Sequence, residues 1–118
     1  METKDGYRLS VFRIKDPRTP DNAPVVFLQH GIFGTAENWT SNSDLSPAFI
    51  LAKAGYDVWL GNSRGSKYSR LHKEHDPNTD AAYWDFSWQQ MATHDLPAMI
   101  DFVRDASGQD KIAYMGHS

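Results

Sequence analysis

The stretch PVVFLQHG, residues 24–31, decides the fold. Residues 25–28 form a continuous apolar run that leads into a glycine, and this pattern is typical of a strand buried on both faces of a sheet. YDVWLG at residues 56–61 repeats the pattern. Strands buried on both faces are usually parallel, and parallel strands need helical crossovers. We therefore expect a mostly parallel sheet with flanking helices.

Helical patterns follow both strands. In LSPAFILAKAG, Ser46 is a candidate N-cap, Pro47 fits the first helical turn and Gly55 fits just past the C-terminus. After the second strand, Gly108 ends another predicted helix. Its apolar residues recur at i, i+3, i+4 and i+7 and predict one face packed on the sheet: Leu96, Met99, Ile100 and Val103.

The second helical region carries two helix-start signals. Ser87 and Gln90 have capping-box spacing, and Asp95 followed by Pro97 indicates a fresh helix start. KIAYM at residues 111–115 is then a last strand, and the tripeptide GHS follows it. The order strand, helix, strand, helix, strand predicts a doubly wound α/β layer with right-handed crossovers.

Two segments lie outside this alternation. DGYRLSVFRI, residues 5–14, alternates apolar and polar residues and predicts a strand pair or bent hairpin. Residues 61–86 are polar and lack helical periodicity, so we expect an ordered surface loop, and loops of this length are usually functional or well anchored. The aromatic end of this loop supplies the expected anchors: Tyr83, Trp84 and Phe86.

Composition excludes several classes of protein. With 118 residues and 40% hydrophobic content, the chain is expected to form one domain or part of one. The net charge of −3 gives no broad basic surface for nucleic acid or an anionic membrane, and the absence of cysteine excludes disulfides and thiolate metal sites. The polar N-terminus lacks the apolar core of a secretion signal, and no apolar run approaches the ~20 residues of a membrane span.

Two serines compete for the role of catalytic nucleophile. The motif G-x-S-x-G places a serine on a sharp turn between a strand and a helix. GNSRG at residues 61–65 matches it fully around Ser63, whereas the GHS tripeptide matches only its first three positions and ends at Ser118. An elbow of this kind must run straight into a helix, and a charged loop follows GNSRG. We therefore favour Ser118 and keep Ser63 as the alternative.

The HGIFG segment after the first buried strand predicts an oxyanion loop. Its glycines allow a backbone N–H, which we assign to Ile32, to point at a substrate carbonyl oxygen. His30 is expected to order this loop through hydrogen bonds rather than to act as a base. His117 adjoins Ser118, and neighbouring side chains point apart, so we expect the base to lie elsewhere, downstream in sequence.

Together these segments resemble the acid lipases, the family of α/β-hydrolases that includes lysosomal acid lipase, gastric lipase and related plant and protist lipases. The resemblance covers nearly the whole chain, from Asp5 to Ser118. It rests on five motifs in family-like order: LQHGIFGTAENW, FILAKAGYDVWLGNSRGSKYSR, YWDFSW, DLPAMIDFV and YMGHS.

The resemblance implies that residues 1–118 form the N-terminal part of an α/β-hydrolase domain. It implies that Ser118 is the nucleophile of a GHSxG elbow and that Ile32 donates one oxyanion N–H. The residues implied to support the oxyanion loop and the elbow are His30, Gly31, Gly116 and His117. The helix behind the serine, the lid, the second oxyanion donor and the triad Asp and His are not among these residues, so we expect this truncated polypeptide alone to be inactive.

By the same resemblance, the expected function is a serine lipase or esterase that hydrolyses triacylglycerols or sterol esters at a lipid interface. Such an enzyme works through an acyl-enzyme and needs no metal or organic cofactor. The family implies a secreted, lysosomal or vacuolar location. One alternative is a non-catalytic lipid- or partner-binding protein that keeps half of the fold. Another is a different hydrolase chemistry, peptide cleavage or haloalkane removal, and a serine instead of an aspartate at the elbow disfavours the haloalkane route.

Other residues admit two interpretations. HKEHD at residues 72–76 is one residue short of a metal-binding H-x-x-E-H pattern, and we favour a solvated loop over a metal site. Trp39 either lines an acyl pocket or packs in the core, while Met91 and Met99 are predicted to fill the core. A basic cluster in the long loop is interpreted as solvated or ion-paired rather than as a nucleic-acid site: Arg64, Lys67, Arg70 and Lys73.

Overall fold

A computed structural model describes residues 1–31 and 34–117 of the chain. Within them, a four-stranded sheet has the strand order β2-β4-β3-β6, and a separate two-stranded sheet pairs β1 with β5. The strands are β1 (Tyr7–Arg8), β2 (Phe12–Ile14), β3 (Val25–Gln29), β4 (Asp57–Leu60), β5 (Leu71–His72) and β6 (Ala113–Gly116). β3 runs parallel to β4 and to β6, and β2 is antiparallel at the edge. The predicted, mostly parallel sheet is confirmed.

The apolar runs of β3 and β4 are buried as the sequence predicted. Every residue of β4 is buried, and so are the first four residues of β3. The described residues contain three α-helical segments, α1 (Pro47–Lys53), α2 (Trp88–Gln90) and α3 (Leu96–Ser107). Alternate strand residues contribute to separate clusters, one with Ala48 and Ala52 of α1, the other with Met99 and Val103 of α3. Helices thus pack against both faces of the sheet, which confirms the doubly wound layer.

The boundaries of α1 agree with its sequence signals, although the capping chemistry differs. Ser46 is the N-cap residue, but its hydroxyl makes no cap hydrogen bond and accepts the backbone N–H of Asn42 at 2.7 Å. Pro47 opens the helix, where its missing N–H costs no hydrogen bond. Gly55 follows the end of the helix with a φ of +99°, a conformation that side chains other than glycine rarely adopt.

The prediction of a fresh helix start at Asp95 is wrong. The capping box of Ser87 and Gln90 is present, but the helix that it begins continues through a π-helical turn, Met91–Asp95, directly into α3. Asp95 has helical backbone angles and makes no side-chain cap. Its carboxylate instead binds Arg64 from the loop after β4, so a tertiary contact replaces the local cap.

The predicted hairpin of residues 5–14 is also wrong in its pairing. β1 pairs with β5 and β2 pairs with β4, each antiparallel, so the two strands belong to different sheets. The residues between them are tied to the loop after β4 instead of turning back. Ser10 donates its N–H to the hydroxyl of Ser69 at 3.0 Å and accepts a hydrogen bond from the Asn62 side chain at 2.9 Å.

The long polar segment after β4 is an ordered loop that contains more structure than the sequence indicated. It includes β5 and a 3-10 turn, Ala81–Trp84. Tyr83 is the expected aromatic anchor, with no exposed surface, whereas Trp84 remains 43% exposed. Across residues 1–31 and 34–117, none of the helices has both the length and the apolar character that crossing a bilayer requires.

Candidate active site

The carboxyl ends of the three parallel strands meet at one edge of the sheet. β3 and β6 are in register with Gln29 opposite Gly116, and His117 donates its N–H to the Gln29 carbonyl at 3.1 Å. On the other side of β3, Gly61 donates its N–H to the Leu28 carbonyl at 3.1 Å. The loops that follow these strands therefore begin side by side, at the edge where open α/β sheets bind their ligands.

Most of the predicted site residues line one cavity at this edge. The cavity has a volume of about 330 Å³ and is lined by His30, Gly31, Gly116 and His117, together with Gln29 and Ser63. Ile32 and Ser118 lie outside the described residues. Their assignments as oxyanion donor and nucleophile therefore stay predictions, while the residues that precede them in sequence share the cavity.

The rest of the cavity lining is apolar. It comes from the helical segment after Ser87 and from β6: Trp88, Met91, Ala92, Leu96 and Tyr114. The prediction that Met91 fills the core is therefore wrong, because this side chain is only half-buried and faces the cavity. Met99, which lies further along the chain in α3, is fully buried in the core as predicted.

His30 is buried at this edge of the sheet, and both of its ring nitrogens have hydrogen-bond partners. Nδ1 lies 2.6 Å from the carbonyl oxygen of Gly31, and Nε2 lies 3.1 Å from the backbone nitrogen of Ser63. A backbone N–H can only donate, so Nε2 is the acceptor and Nδ1 carries the proton. Burial lowers the pKa of His30 from its ordinary value, which favours this neutral form. In this arrangement neither nitrogen is free to act as a base.

The GNSRG segment forms a packed junction without a helix behind it. Residues 61–80, all of them described, contain no helix, as the sequence predicted. A Cβ atom on Gly61 would lie 2.5 Å from the ring of Phe27 and 3.2 Å from the sulfur of Met99, so only glycine fits. The Asn62 side chain accepts the Ala36 N–H at 2.9 Å, and the Ser63 hydroxyl accepts from the Gln29 amide at 3.1 Å. These contacts support a structural role for the segment.

Arg64, within the same segment, is buried between two carboxylates. Its guanidinium forms a two-pronged pair with Asp5, through contacts of 2.7 and 3.0 Å. Its Nε and Nη2 lie 2.9 and 2.8 Å from one oxygen of Asp95. The backbone N–H of Arg64 donates to the other oxygen of Asp95 at 2.8 Å. The ring of Tyr7 lies 3.9 Å from the guanidinium carbon, so the cation also packs on an aromatic face.

The two carboxylates of this cluster differ in their surroundings. Burial raises the pKa of Asp95, and hydrogen bonds from Arg64 oppose that rise. For Asp5, burial also acts upward, but hydrogen bonds from Arg64 and Thr3 prevail and lower the pKa to about 2. Asp5 is therefore ionised at all but strongly acidic pH, and it balances the charge of Arg64 from the solvent-accessible side of the cluster.

We expect the contribution of Asp5 to stability to disappear in acid. Its pKa falls from 3.8 to about 2 on folding, so its ionised form stabilises the folded state above about pH 4, and this stabilisation is lost as the pH falls through about 2. Urea unfolding of the wild type and of Asp5→Asn should show a difference in unfolding free energy at neutral pH that shrinks below pH 4. A difference that stays constant down to pH 2 would contradict this assignment.

Sequence reasoning missed three residues of this region. Gln29 and Asp5 carried no signal beyond their places next to predicted strands, and Asp95 was interpreted as a helix cap. All three act through side chains that reach segments distant in sequence: Gln29 to Ser63, and both aspartates to Arg64. Arg64 itself was expected to be solvated or ion-paired, and it is ion-paired and buried.

The other polar side chains of the long loop are held by hydrogen bonds and ion pairs. His72 donates from Nε2 to the Asp5 carbonyl at 2.9 Å, and Nδ1 of His75 lies 2.6 Å from the Asp80 carboxylate. Among residues 1–31 and 34–117 no group of three or more potential ligands is arranged to hold a metal ion. Lys67 forms an exposed pair with Glu37.

Trp39 packs in the core and also borders a second cavity. Trp39 is 8% exposed as a residue and lies in the cluster on the α1 face of the sheet. The cavity beside it has a volume of about 400 Å³ and is also lined by Asn38, Ser41, Pro47 and His117. The packing role predicted for Trp39 is confirmed, and its role in lining an acyl pocket stays a prediction.

Comparison with known proteins agrees with this geometry. The α/β hydrolase fold family matches residues 24–118, and the family described as the partial α/β-hydrolase lipase region matches residues 1–43. Est1E from Butyrivibrio proteoclasticus, solved with bound ferulic acid, has a similar fold with a TM-score of 0.63, at 18% identity over 97% of this chain and 40% of that chain.

Several lipases are similar in sequence over nearly the whole chain. The gastric triacylglycerol lipase of Mus musculus is 50% identical over 121 residues, which cover 98% of this chain and 30% of that protein. The lysosomal acid lipase/cholesteryl ester hydrolase of Homo sapiens is 46% identical over 123 residues, covering 100% of this chain and 31% of that protein. The chain thus spans about 30% of the length of these relatives. These matches confirm the resemblance to acid lipases, and the chain belongs to the α/β-hydrolase fold family.

Proposed function

We propose that residues 1–118 are the N-terminal part of a serine carboxylic ester hydrolase that acts on neutral lipids. In this proposal Ser118 is the nucleophile and the backbone N–H of Ile32 is one oxyanion donor. The observation that carries it is the parallel pairing of β3 with β6, in which His117 donates its N–H to the Gln29 carbonyl at 3.1 Å. Ser118 is the residue after His117, and Ile32 is three residues after Gln29. Both proposed groups therefore lie close in sequence to the two ends of this hydrogen bond.

Ester hydrolysis in this proposal proceeds through an acyl-enzyme. The Ser118 oxygen attacks the ester carbonyl carbon while a histidine takes its proton, and the oxyanion donors stabilise the tetrahedral intermediate. Collapse of this intermediate expels the alcohol, which takes the proton from the histidine, and water then hydrolyses the acyl-enzyme by the same steps. We assign the base and its carboxylate partner to the triad His and Asp of the family, outside residues 1–118. Both ring nitrogens of His30 are engaged in hydrogen bonds, and the side chain of His117 points away from that of its neighbour Ser118 in this proposal, so we assign the base to neither. Residues 1–118 alone are then inactive.

The substrates that we propose are fatty-acyl esters of glycerol or of sterols. The relatives are named as a gastric triacylglycerol lipase and as a lysosomal acid lipase/cholesteryl ester hydrolase. The apolar lining of the cavity includes Trp88, Leu96 and Tyr114. This lining supports an apolar substrate, because an acyl chain that displaces water from apolar side chains lowers the free energy of the complex. The names of the relatives also support a secreted or lysosomal location.

Labelling and turnover of the full-length protein that carries this sequence test the proposal. We expect it to hydrolyse an emulsified long-chain triacylglycerol or a cholesteryl ester, and we expect an alkyl fluorophosphonate to modify Ser118, identified by mass spectrometry of the modified peptide. Modification of Ser63 instead would overturn the assignment of the nucleophile. Binding to lipid emulsions without hydrolysis or labelling would favour the alternative, a non-catalytic lipid-binding protein.

A further inference from the structure

A chain of hydrogen bonds connects the π-helical turn before α3 to the loop after β3. Asp95 accepts the backbone N–H of Arg64 at 2.8 Å. The preceding residue, Ser63, donates its own N–H to Nε2 of His30 at 3.1 Å. His30 in turn donates from Nδ1 to the carbonyl oxygen of Gly31 at 2.6 Å. The consecutive amides of Ser63 and Arg64 are therefore held between β3 and the helix.

Each connection in this chain has a fixed direction. A backbone N–H donates only, so the Ser63 amide requires an unprotonated Nε2 on His30. The neutral ring then carries its proton on Nδ1, and this N–H donates a hydrogen bond to the Gly31 carbonyl oxygen. The Ser63 amide thereby selects the tautomer of His30, and the tautomer determines that His30 acts as a donor to Gly31.

The Gly31 carbonyl matters because of the covalent structure of the backbone. This carbonyl belongs to the same peptide group as the amide nitrogen of Ile32, the N–H that we propose as an oxyanion donor. A peptide group is planar, so a hydrogen bond to its oxygen restrains the direction of its N–H. Oxyanion donors are effective only when aimed at the place where negative charge develops in the transition state.

Asp95 is well suited to stabilise the other end of this chain of hydrogen bonds. Its side chain is completely buried, and its two oxygens receive three polar groups of Arg64: the backbone N–H, Nε and Nη2. Asp5 binds the edge of the guanidinium formed by Nη1 and Nη2. The π-helical turn ends at Asp95, and turns of this kind occur frequently at functional sites.

We propose that Asp95 is a positioning residue that acts through Arg64, Ser63 and His30 to restrain the peptide group after Gly31. The catalytic consequence rests on the proposed ester hydrolase function. Loss of the restraint misaligns an oxyanion donor in the transition state but leaves the binding of the substrate nearly unchanged. It should therefore lower kcat with little effect on KM. We expect a decrease in kcat of about 10- to 100-fold, because an ångström-scale misplacement reaches 10²-fold.

Matched variants of the full-length protein test the chain of hydrogen bonds, first at Asp95 and then at His30. Asp95→Asn keeps an oxygen that can accept the Arg64 N–H, whereas Asp95→Ala does not, so Asp95→Asn should retain the higher kcat. His30→Asn keeps a donor near the position of Nδ1, whereas His30→Gln places its amide near Nε2, so His30→Asn should retain the higher kcat. Asp101→Asn, an exposed aspartate of α3, is the control and should leave kcat unchanged. All rates are divided by the folded fraction measured by thermal unfolding.

A second measurement follows His30 without relying on catalysis. In protein labelled with 15N-histidine, the ring nitrogens of His30, assigned through His30→Asn, should show a neutral ring protonated at Nδ1. Asp95→Ala should convert this signal to a mixture of tautomers. An unchanged His30 signal and an unchanged kcat in Asp95→Ala would overturn the inference, and so would a loss of activity fully explained by the unfolded fraction. If the His30 signal responds but the wild type does not hydrolyse esters, the proposed function fails and the restraint on the loop stands.

Discussion

Replacement of Ser118 by alanine is expected to abolish ester hydrolysis by the full-length protein. Removal of the nucleophile from a serine hydrolase typically costs about 10⁴- to 10⁶-fold in kcat, because only the oxyanion hole and substrate binding remain to accelerate the reaction. The measurement is the initial rate on a short-chain ester and on an emulsified triacylglycerol, after the folded fraction has been matched to that of the wild type.

Ser63→Ala is the matched control for this prediction. Ser63 lies in the complete G-x-S-x-G match, and its hydroxyl accepts a hydrogen bond from the Gln29 side chain at 3.1 Å. Its contribution to the hydrogen-bond chain comes from its backbone N–H, which alanine retains. We therefore expect Ser63→Ala to stay within about tenfold of the wild-type kcat. Loss of hydrolysis in Ser63→Ala with activity retained in Ser118→Ala would reverse the assignment of the nucleophile.

Arg64→Met is expected to destabilise the folded protein by about 3–5 kcal/mol, the usual cost of removing one partner from a buried ion pair. The substitution leaves the Asp95 carboxylate, which has no exposed surface, without its cation. It also removes the cation from the ring of Tyr7. Chemical unfolding of the full-length protein, monitored by tryptophan fluorescence, measures the change.

Two further variants separate the buried charge from other effects of Arg64→Met. Arg18→Met removes the same side chain from an exposed pair with Asp16 and should cause a much smaller change. The double variant Arg64→Met/Asp95→Leu removes both buried charges, and we expect it to recover part of the lost stability, because a well-packed apolar pair avoids the desolvation penalty. If the double variant is less stable than Arg64→Met alone, an isolated buried carboxylate is not the cause of the loss.

The core of the fold was predictable because its sequence signals are local. The apolar runs of β3 and β4 are continuous since both faces of these strands are buried, and the crossover helices carry an apolar stripe with the helical period. Such patterns record burial residue by residue along a single element. They also fix which strand ends are followed by which motifs, and hence which segments meet at the carboxyl edge of a parallel sheet.

The partners of buried polar groups were not predictable in this way. β1 pairs with β5 rather than with β2, although β2 is its neighbour in sequence. Asp95 carries the local signature of a helix cap, yet its carboxylate binds Arg64 within a continuous helix. In both cases the local preference, worth about 1 kcal/mol for a helix cap, competes with the larger cost of leaving a buried charge or backbone group unpaired.

The sequence by itself determined the parallel sheet, the order of its strands along the chain and the two candidate serines, because apolar periodicity and motif spacing are properties of contiguous residues. Only the tertiary structure decided that His30, Ser63, Arg64 and Asp95 form one connected set of hydrogen bonds at the carboxyl edge. The physical reason is that a buried polar group takes whichever partner the packing of distant segments brings within about 3 Å, and no local pattern encodes that choice.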